Sequence, residues 1–286
     1  MSIKITFIKY KQMANTEYLK LVQCEGNEWK FVSLPNPEDK HVEAKFYFGG
    51  MQLDRHNDIA EIIYRNIADN NPYLIDAHSH LCIALRKQGK SDENLQVAEK
   101  TYNLAKSVIP EIFDIKKYEL PWKYVDNRGF LNVCYMLIIE YRDRNQYQKA
   151  IDICNEMLRY NKSDDQGIKY LLLASIFSLK NYQKAEELIN QYPDDNSIDF
   201  LYGKLILEIL KDNEDVDTLL EQALECNELF PKEVLKTEHE TPEFMGEFIP
   251  RGSNLESYIY WHNNKELYKN EKIVKFFKNK IVSKNS

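Results

Sequence analysis

A period of about 34 residues constrains this chain more than any other feature. Ala60, Tyr64, Ile67 and Pro72 set out a small residue, a large one, an apolar one and a helix-ending proline. One period on, Ile75, Leu81, Cys82 and Leu85 keep the phase, and Gly89 marks the turn between two helices. The pattern returns at Leu137, Ile138 and Tyr141, followed by Tyr147-Gln148-Lys149-Ala150. It returns again at Tyr182-Gln183-Lys184-Ala185, and Ala150 and Ala185 are 35 residues apart. A weaker unit follows at Leu201-Tyr202-Gly203, Leu219-Leu220 and Ala223-Leu224. The small residue in each unit lets two helices cross closely. A chain written this way folds as stacked helix pairs, each burying the apolar face of its neighbour.

Composition agrees. Nine glycines and nine prolines among 286 residues are scarce for turn-rich β folds, collagen-like chains or low-complexity chains. An aromatic share of 12% is too high for a disordered chain. Lys and Arg total 38 against 45 Asp and Glu, a net charge of −7, so nucleic acid is not an expected partner. The Lys-rich stretch 265–284 reads as a solvated helix face. The apolar runs 130–139 and 170–179 fall far short of the roughly 18 residues a membrane span needs. Lys4, Lys9 and Lys11 are not followed by a continuous apolar run, so no leader peptide is expected. Cys24, Cys82, Cys134, Cys154 and Cys226 are widely spaced with no CxxC pair. They predict free thiols and a cytoplasmic location.

The helix-pair pattern resembles the tetratricopeptide repeat (TPR). The predicted fold is mainly α, a TPR-like right-handed helical-repeat solenoid with a short N-terminal β-hairpin and a helical C-terminal cap. Leu19, Leu21, Trp29 and Phe31 alternate around Glu25-Gly26-Asn27 and predict the hairpin. Ser253-Asn254-Leu255-Glu256 is a capping box that opens the terminal helix pair. The expected organisation is 1–38 hairpin and extended segment, 39–106 N-terminal repeats, 107–129 ordered insertion, 130–231 C-terminal repeats and 232–286 loop and capping helices. The insertion carries Pro110, Pro121 and Trp122.

Three further stretches resemble TPR proteins related to the suppressor-of-tumorigenicity-seven family, including its soluble bacterial relatives. They are Asn127-Arg128-x-Phe130-Leu131; Ala223-Leu224-x-x-Asn227-x-x-x-Pro231-x-x-x-Leu235; and Ile249-Pro250-Arg251-Gly252-Ser253-x-x-Glu256-Ser257 with Tyr260-Trp261. The resemblance spans roughly residues 56–262 and implies a helical-repeat scaffold for protein interaction. It carries no catalytic residues across.

No residue constellation points to catalysis, a metal or a cofactor. His78 and His80 stand two apart on a predicted helix, where they face opposite ways and cannot share an ion. Glu238-His239-Glu240 reads as solvated surface. There is no GxGxxG, Walker, HExxH or GxSxG motif. The better candidate is the concave face that the first helix of each TPR pair presents. There His80, Arg86, Tyr135, Met136, Ile139, Arg142, Tyr170 and Phe177 are expected to bind a protein or peptide. The aromatic and Met side chains would anchor it, and Arg86 and Arg142 would pair an acidic group. A carboxylate clamp is not expected: Lys45 could begin one, but Gly49, His80, Asn132 and Met136 stand where its other members belong. The expected function is a non-catalytic protein-binding adaptor. The alternatives are a ligand- or peptide-sensing regulator and an enzyme with a site at the insertion or groove.

Overall fold

The computed structural model of the protein describes residues 17–213, 216–243 and 248–284, with side chains through Lys280. Lys4, Lys9, Lys11 and the rest of residues 1–16 lie outside the described residues. Strands β1 (Leu19–Gln23) and β2 (Trp29–Ser33) form the expected antiparallel hairpin, Leu21 opposite Phe31. Gly26 turns it at φ +56°, a backbone open to glycine without strain.

The chain then runs as helix pairs. In order these are α1 (Val42–Gln52) with α2 (Asn57–Asn70), α3 (Ile75–Lys87) with α4 (Ser91–Ser107), α5 (Val125–Asp143) with α6 (Tyr147–Tyr160), α7 (Ile168–Ser178) with α8 (Tyr182–Gln191), and α9 (Ile198–Leu210) with α10 (Asp217–Cys226). One device closes the turn inside four of these pairs. A residue in the left-handed region stands at Gly89, Asn145, Lys180 and Asp212, with φ of 71, 56, 55 and 59°. The amide of the next residue then donates to the carbonyl five positions back: Lys90 to Leu85, Gln146 to Tyr141, Asn181 to Ile176 and Asn213 to Glu208, at 2.8–3.2 Å. This is the Schellman closure of a helix C-terminus. It recurs with the repeat, although only Gly89 announces it in sequence.

The chain divides into two compact units, Met1–Ile168 and Lys169–Ser286. In the first, α1 packs on α2, α2 on α3, α3 on α4 and α5, and α5 on α4 and α6. Ala60, Tyr64, Ile67, Ala77, Leu81 and Leu85 form part of one buried cluster there. Gly49 explains the α1–α2 crossing, because a Cβ there would stand 2.9 Å from the Tyr64 ring. Gly129 does the same where α5 meets α3, 3.0 Å from the Asp76 backbone. The hairpin rests on α5, tied by the fully buried amide of Asn127. Its Oδ1 accepts from Phe31 N at 3.0 Å, and its Nδ2 donates to the carbonyls of Trp29 and Pro121 at 3.0 and 3.1 Å. The connection from α4 to α5, residues 108–124, lies along the same rim. Trp29 N donates to Glu119 O at 2.9 Å, Glu119 N to Asn27 O at 3.0 Å, and Leu120 N to Tyr160 O at 2.6 Å.

In the second unit, α9 packs on α8 and α10 and on the C-terminal helices α12 (Asn254–Asn264) and α13 (Glu271–Lys284). A short helix, α11 (Phe230–Val234), seats Phe230 among Tyr202, Tyr260, Tyr268 and Phe277, with ring centroids 4.5–6.3 Å apart. Asn227 is the counterpart of Asn127. It is 1% exposed; its Oδ1 accepts from Leu229 N, Phe230 N and Ser257 Oγ, and its Nδ2 donates to Glu256 Oε2 at 2.8 Å. In the capping box Ser253 Oγ accepts from Glu256 N at 3.1 Å, while the Glu256 carboxylate reaches back to Gly252 N at 2.7 Å. The helix that this box opens ends at Asn264, and a 3₁₀ turn, Leu267–Lys269, completes the connection.

Candidate functional site

The expected face exists on α5. Asn132, Tyr135, Met136 and Ile139 are half-buried at a spacing of three and four, which is one stripe of a helix. Leu131, Val133, Cys134, Leu137 and Ile138 fill the buried side. On α3, His80, Ile83 and Arg86 form a parallel half-buried stripe. The rim connection, residues 108–124, makes its backbone bonds to the hairpin and the end of α6. Gln166 reaches the α5 stripe at one end, donating to Asn132 Oδ1 at 3.1 Å.

The basic residues predicted to meet an acidic partner are occupied within the fold. Arg86 Nη1 donates to Glu140 Oε1 at 2.9 Å and to Asp143 Oδ2 at 3.0 Å. Glu140 is fully buried, and it also accepts from Asn94 Nδ2 at 2.7 Å and from Arg144. A buried carboxylate needs such partners, and removing one of them is costly. The same contact accounts for Asn94, which stands where the repeat calls for a small residue. Arg142 is 9% exposed and held within the fold. The Arg86 and Arg142 expectation is therefore corrected: Arg86 serves the α3–α5 packing, and Arg142 is buried.

His80 is a packing residue with an open edge. Its ring lies 4.8 Å from Phe46 and 4.9 Å from Tyr64, and Nδ1 meets Asp76 O at 2.8 Å. Burial works to lower its pKa, but the Asp76 carboxylate and carbonyl outweigh burial and raise it. The His78 ring meets a different carbonyl, that of Pro72, at 3.1 Å. Burial raises the Tyr135 hydroxyl, and the nearby Arg86 and Arg142 pull the other way.

The second unit treats its two predicted face residues differently. Tyr170 is half-buried, with its ring 5.9 Å from Phe200 and its hydroxyl 3.4 Å from Asp195 Oδ2. Phe177 is 2% exposed, and a Cβ on Gly203 would stand 3.5 Å from its ring. Phe177 is core and offers nothing to a partner. His239, expected in solvated surface, stacks on Trp261 at 3.5 Å and bonds Glu233 Oε1 at 2.9 Å.

Sequence reasoning missed one cluster. Lys106 of α4 reaches the Glu156 carboxylate of α6 and the Tyr160 hydroxyl, the latter at 2.8 Å; Tyr102 also bonds Glu156. Tyr102 and Lys106 are one helical turn apart, as are Glu156 and Tyr160. That double spacing was the available signal. Burial would raise the Glu156 pKa, but Lys106, Tyr102 and Tyr160 reverse this and lower it. Cys134 and Cys154 are buried thiols, and burial pushes both up, Cys154 to about 12.

These features define a TPR-like helical-repeat protein. A solved chain of a MamA RS-1 double mutant has the same kind of fold, with a TM-score of 0.51 at 14% identity, over 65% of this chain and 94% of that one. A MamA point mutant also matches at 14% identity, over 66% of this chain and 98% of that one, with a TM-score of 0.49. The chain belongs to the Tcf25 family: the family model described as "Transcriptional repressor TCF25" matches residues 29–286. The family is therefore not the suppressor-of-tumorigenicity-seven group that the sequence resembled. No curated protein matches the chain. Among the described residues no helix is long and apolar enough to cross a membrane. The net charge argued against nucleic acid, but a family described by transcriptional repression gives that exclusion no support.

Proposed function

We propose that the chain is a non-catalytic adaptor that holds a protein segment against the α3–α5 face. The observation that carries this reading is the partly exposed stripe of Tyr135, Met136 and Ile139 on α5, with the rim connection bonded elsewhere. With Arg86 and Arg142 occupied, recognition on this face is apolar, with His80 and Ile83 at its edge. A surface of aromatic and Met side chains suits an amphipathic helix, whose apolar residues fall at matching steps. The family's description supports a role inside a repressor assembly. The free thiols suit a reducing compartment, cytoplasm and nucleus alike.

The test is a double substitution, Tyr135→Ala with Met136→Ala, in a pull-down from host lysate with quantitative mass spectrometry. The expected result is loss of specific partners with the helical circular dichroism unchanged. Full retention of every partner by the folded variant overturns the reading.

A further inference from the structure

Helix α1 carries apolar residues on two sides. Val42, Phe46 and Leu53 pack into the cluster shared with α2 and α3. On the other side Tyr47, Phe48 and Met51 are 75, 51 and 50% exposed, with exposed Ala44 and Gly50 beside them. An open patch of large apolar side chains at helical spacing marks an interaction surface. In a stack of helix pairs this outer side is where a further unit would be added, and a terminal unit normally turns a polar face there. The second unit is closed in that way by α12 and α13 packed on α9.

This row of residues is its own complement. Glu43, Tyr47, Met51 and Arg55 fall four apart, which is one ridge of a helix. The helical path continues past Gln52, since His56 N donates to Gln52 O at 2.8 Å. Glu43 at one end and Arg55 at the other are exposed, and among the described residues neither is in an ion pair. Lys45 and Asp54, near them in sequence, are already paired with Asp39 and Lys87. Turned end for end about the level of Gly49, the row places Glu43 opposite Arg55, Tyr47 opposite Met51 and Phe48 opposite Gly50. A carboxylate then meets a guanidinium, and a thioether meets an aromatic ring. Gly50 has no side chain to keep the Phe48 ring out. Two ridges of this kind lie side by side when their helices cross at about 50°.

From this complementarity we propose that the outer face of α1 binds α1 of a second copy of the chain, antiparallel and about a two-fold axis. Each favourable pair then occurs twice, and a patch that matches itself closes as a dimer. One helix face from each copy makes a contact at the small end of specific interfaces, below about 1,200 Å², so the dimer is weak and concentration-dependent. The α3–α5 face takes no part in it, so a dimer would present that face twice.

The test is sedimentation equilibrium of the full chain from micromolar to near-millimolar concentration. The wild type should show a monomer–dimer equilibrium. Tyr47→Ser with Met51→Ser removes the apolar contact from an exposed face and should leave a monomer throughout. Glu43→Arg and Arg55→Glu, made singly, set like charges opposite each other and should each weaken the dimer about tenfold or more. Combined, the two reversals restore opposite charges and should recover the wild-type affinity within about threefold. Tyr135→Ala with Met136→Ala should leave the dimer unchanged. A wild-type chain that stays monomeric overturns the proposal and leaves the α1 face to another occupant. A dimer that survives the Tyr47 and Met51 changes also overturns it, as does one indifferent to the single reversals or not restored by the pair. Loss of the dimer in the Tyr135 and Met136 variant would move the contact to the α3–α5 face and overturn it as well. Circular dichroism of each variant excludes misfolding as the cause of a loss.

Discussion

Helices α5 and α7 occupy the same place in consecutive repeats, and each precedes a Tyr-Gln-Lys-Ala string, yet they expose different things. The α5 helix keeps a half-open stripe at Asn132, Tyr135, Met136 and Ile139. The α7 helix is buried at every position from Leu171 to Phe177. Both read as apolar in sequence. The difference teaches that apolar content alone does not separate a binding face from a core: a helix buried all round and one with a free stripe can carry similar residues. At the 35-residue offset between Ala150 and Ala185, Tyr170 and Leu171 answer Tyr135 and Met136: the tyrosine is partly exposed in both helices, whereas α7 buries Leu171 where α5 leaves Met136 partly open.

The sharpest way to break this comparison is to truncate one aromatic from each helix. Phe177→Ala should destabilise by about 3–4 kcal/mol, because a filled core site collapses only partly around the lost ring. Tyr135→Ala should cost less, about 1–2 kcal/mol, since part of its surface is already hydrated. Chemical denaturation of each variant measures both. Equal costs would mean that Tyr135 is core as well, and the proposed face would lose its main anchor.

The repeat architecture was legible because its signal is geometric. Small residues at fixed intervals, as at Ala60, Ala150 and Ala185, report close helix crossings whatever surrounds them. The hairpin was legible for the same reason, through alternation around Gly26. The site was legible only in part. Which helix faces which way follows from the period, so Tyr135, Met136 and Ile139 fell on one face as expected. Whether a charge on that face is free depends on a residue far along the chain. Arg86 meets Glu140, 54 positions away, and nothing local in the sequence announces that pair. Asn127 and Asn227 show the same limit. They appeared only as motif letters, and their role as buried amides holding a hairpin and a cap needed three dimensions. The family resemblance failed on such letters: Asn227 and the 249–257 stretch meet in space as a structural latch, which does not distinguish one repeat family from another.

A second contrast lies in how the two units respond to acid. In the first unit, burial alone would raise the Glu61 carboxyl. Hydrogen bonds from Lys90, Arg65 and Gln88 overcome this and bring it down to about 2. A carboxyl that is more acidic folded than unfolded contributes its stability above its ordinary value of 4.5, and loses it as pH falls through about 2. Glu61→Gln should therefore cost about 2 kcal/mol at neutral pH and flatten the stability profile between about pH 4.5 and 2. Urea denaturation followed against pH checks it. An unchanged acid limb in the variant would place the acid sensitivity elsewhere, with Asp195 of the second unit, also lowered in spite of burial by Lys169 and Ser197, next to test.

The smallest effect concerns the turn that α5 and α7 share. Asn145 and Lys180 hold the same left-handed conformation, φ 56 and 55°, and close the same five-residue backbone bond. Asparagine tolerates that region better than lysine, whose Cβ meets the following carbonyl. Lys180→Gly should therefore stabilise by about 0.5–1 kcal/mol, the strain relieved exceeding the added entropy of the unfolded glycine. Asn145→Gly should gain less, and Gly89→Ala should lose about 1 kcal/mol, since at φ 71° a Cβ adds the strain of the left-handed region. The order of the three, read from denaturation midpoints, is the useful quantity. If Lys180→Gly destabilised, the lysine would be contributing through its side chain rather than tolerating the turn. The two Tyr-Gln-Lys-Ala repeats would then differ in their turns as well as in what their first helices expose.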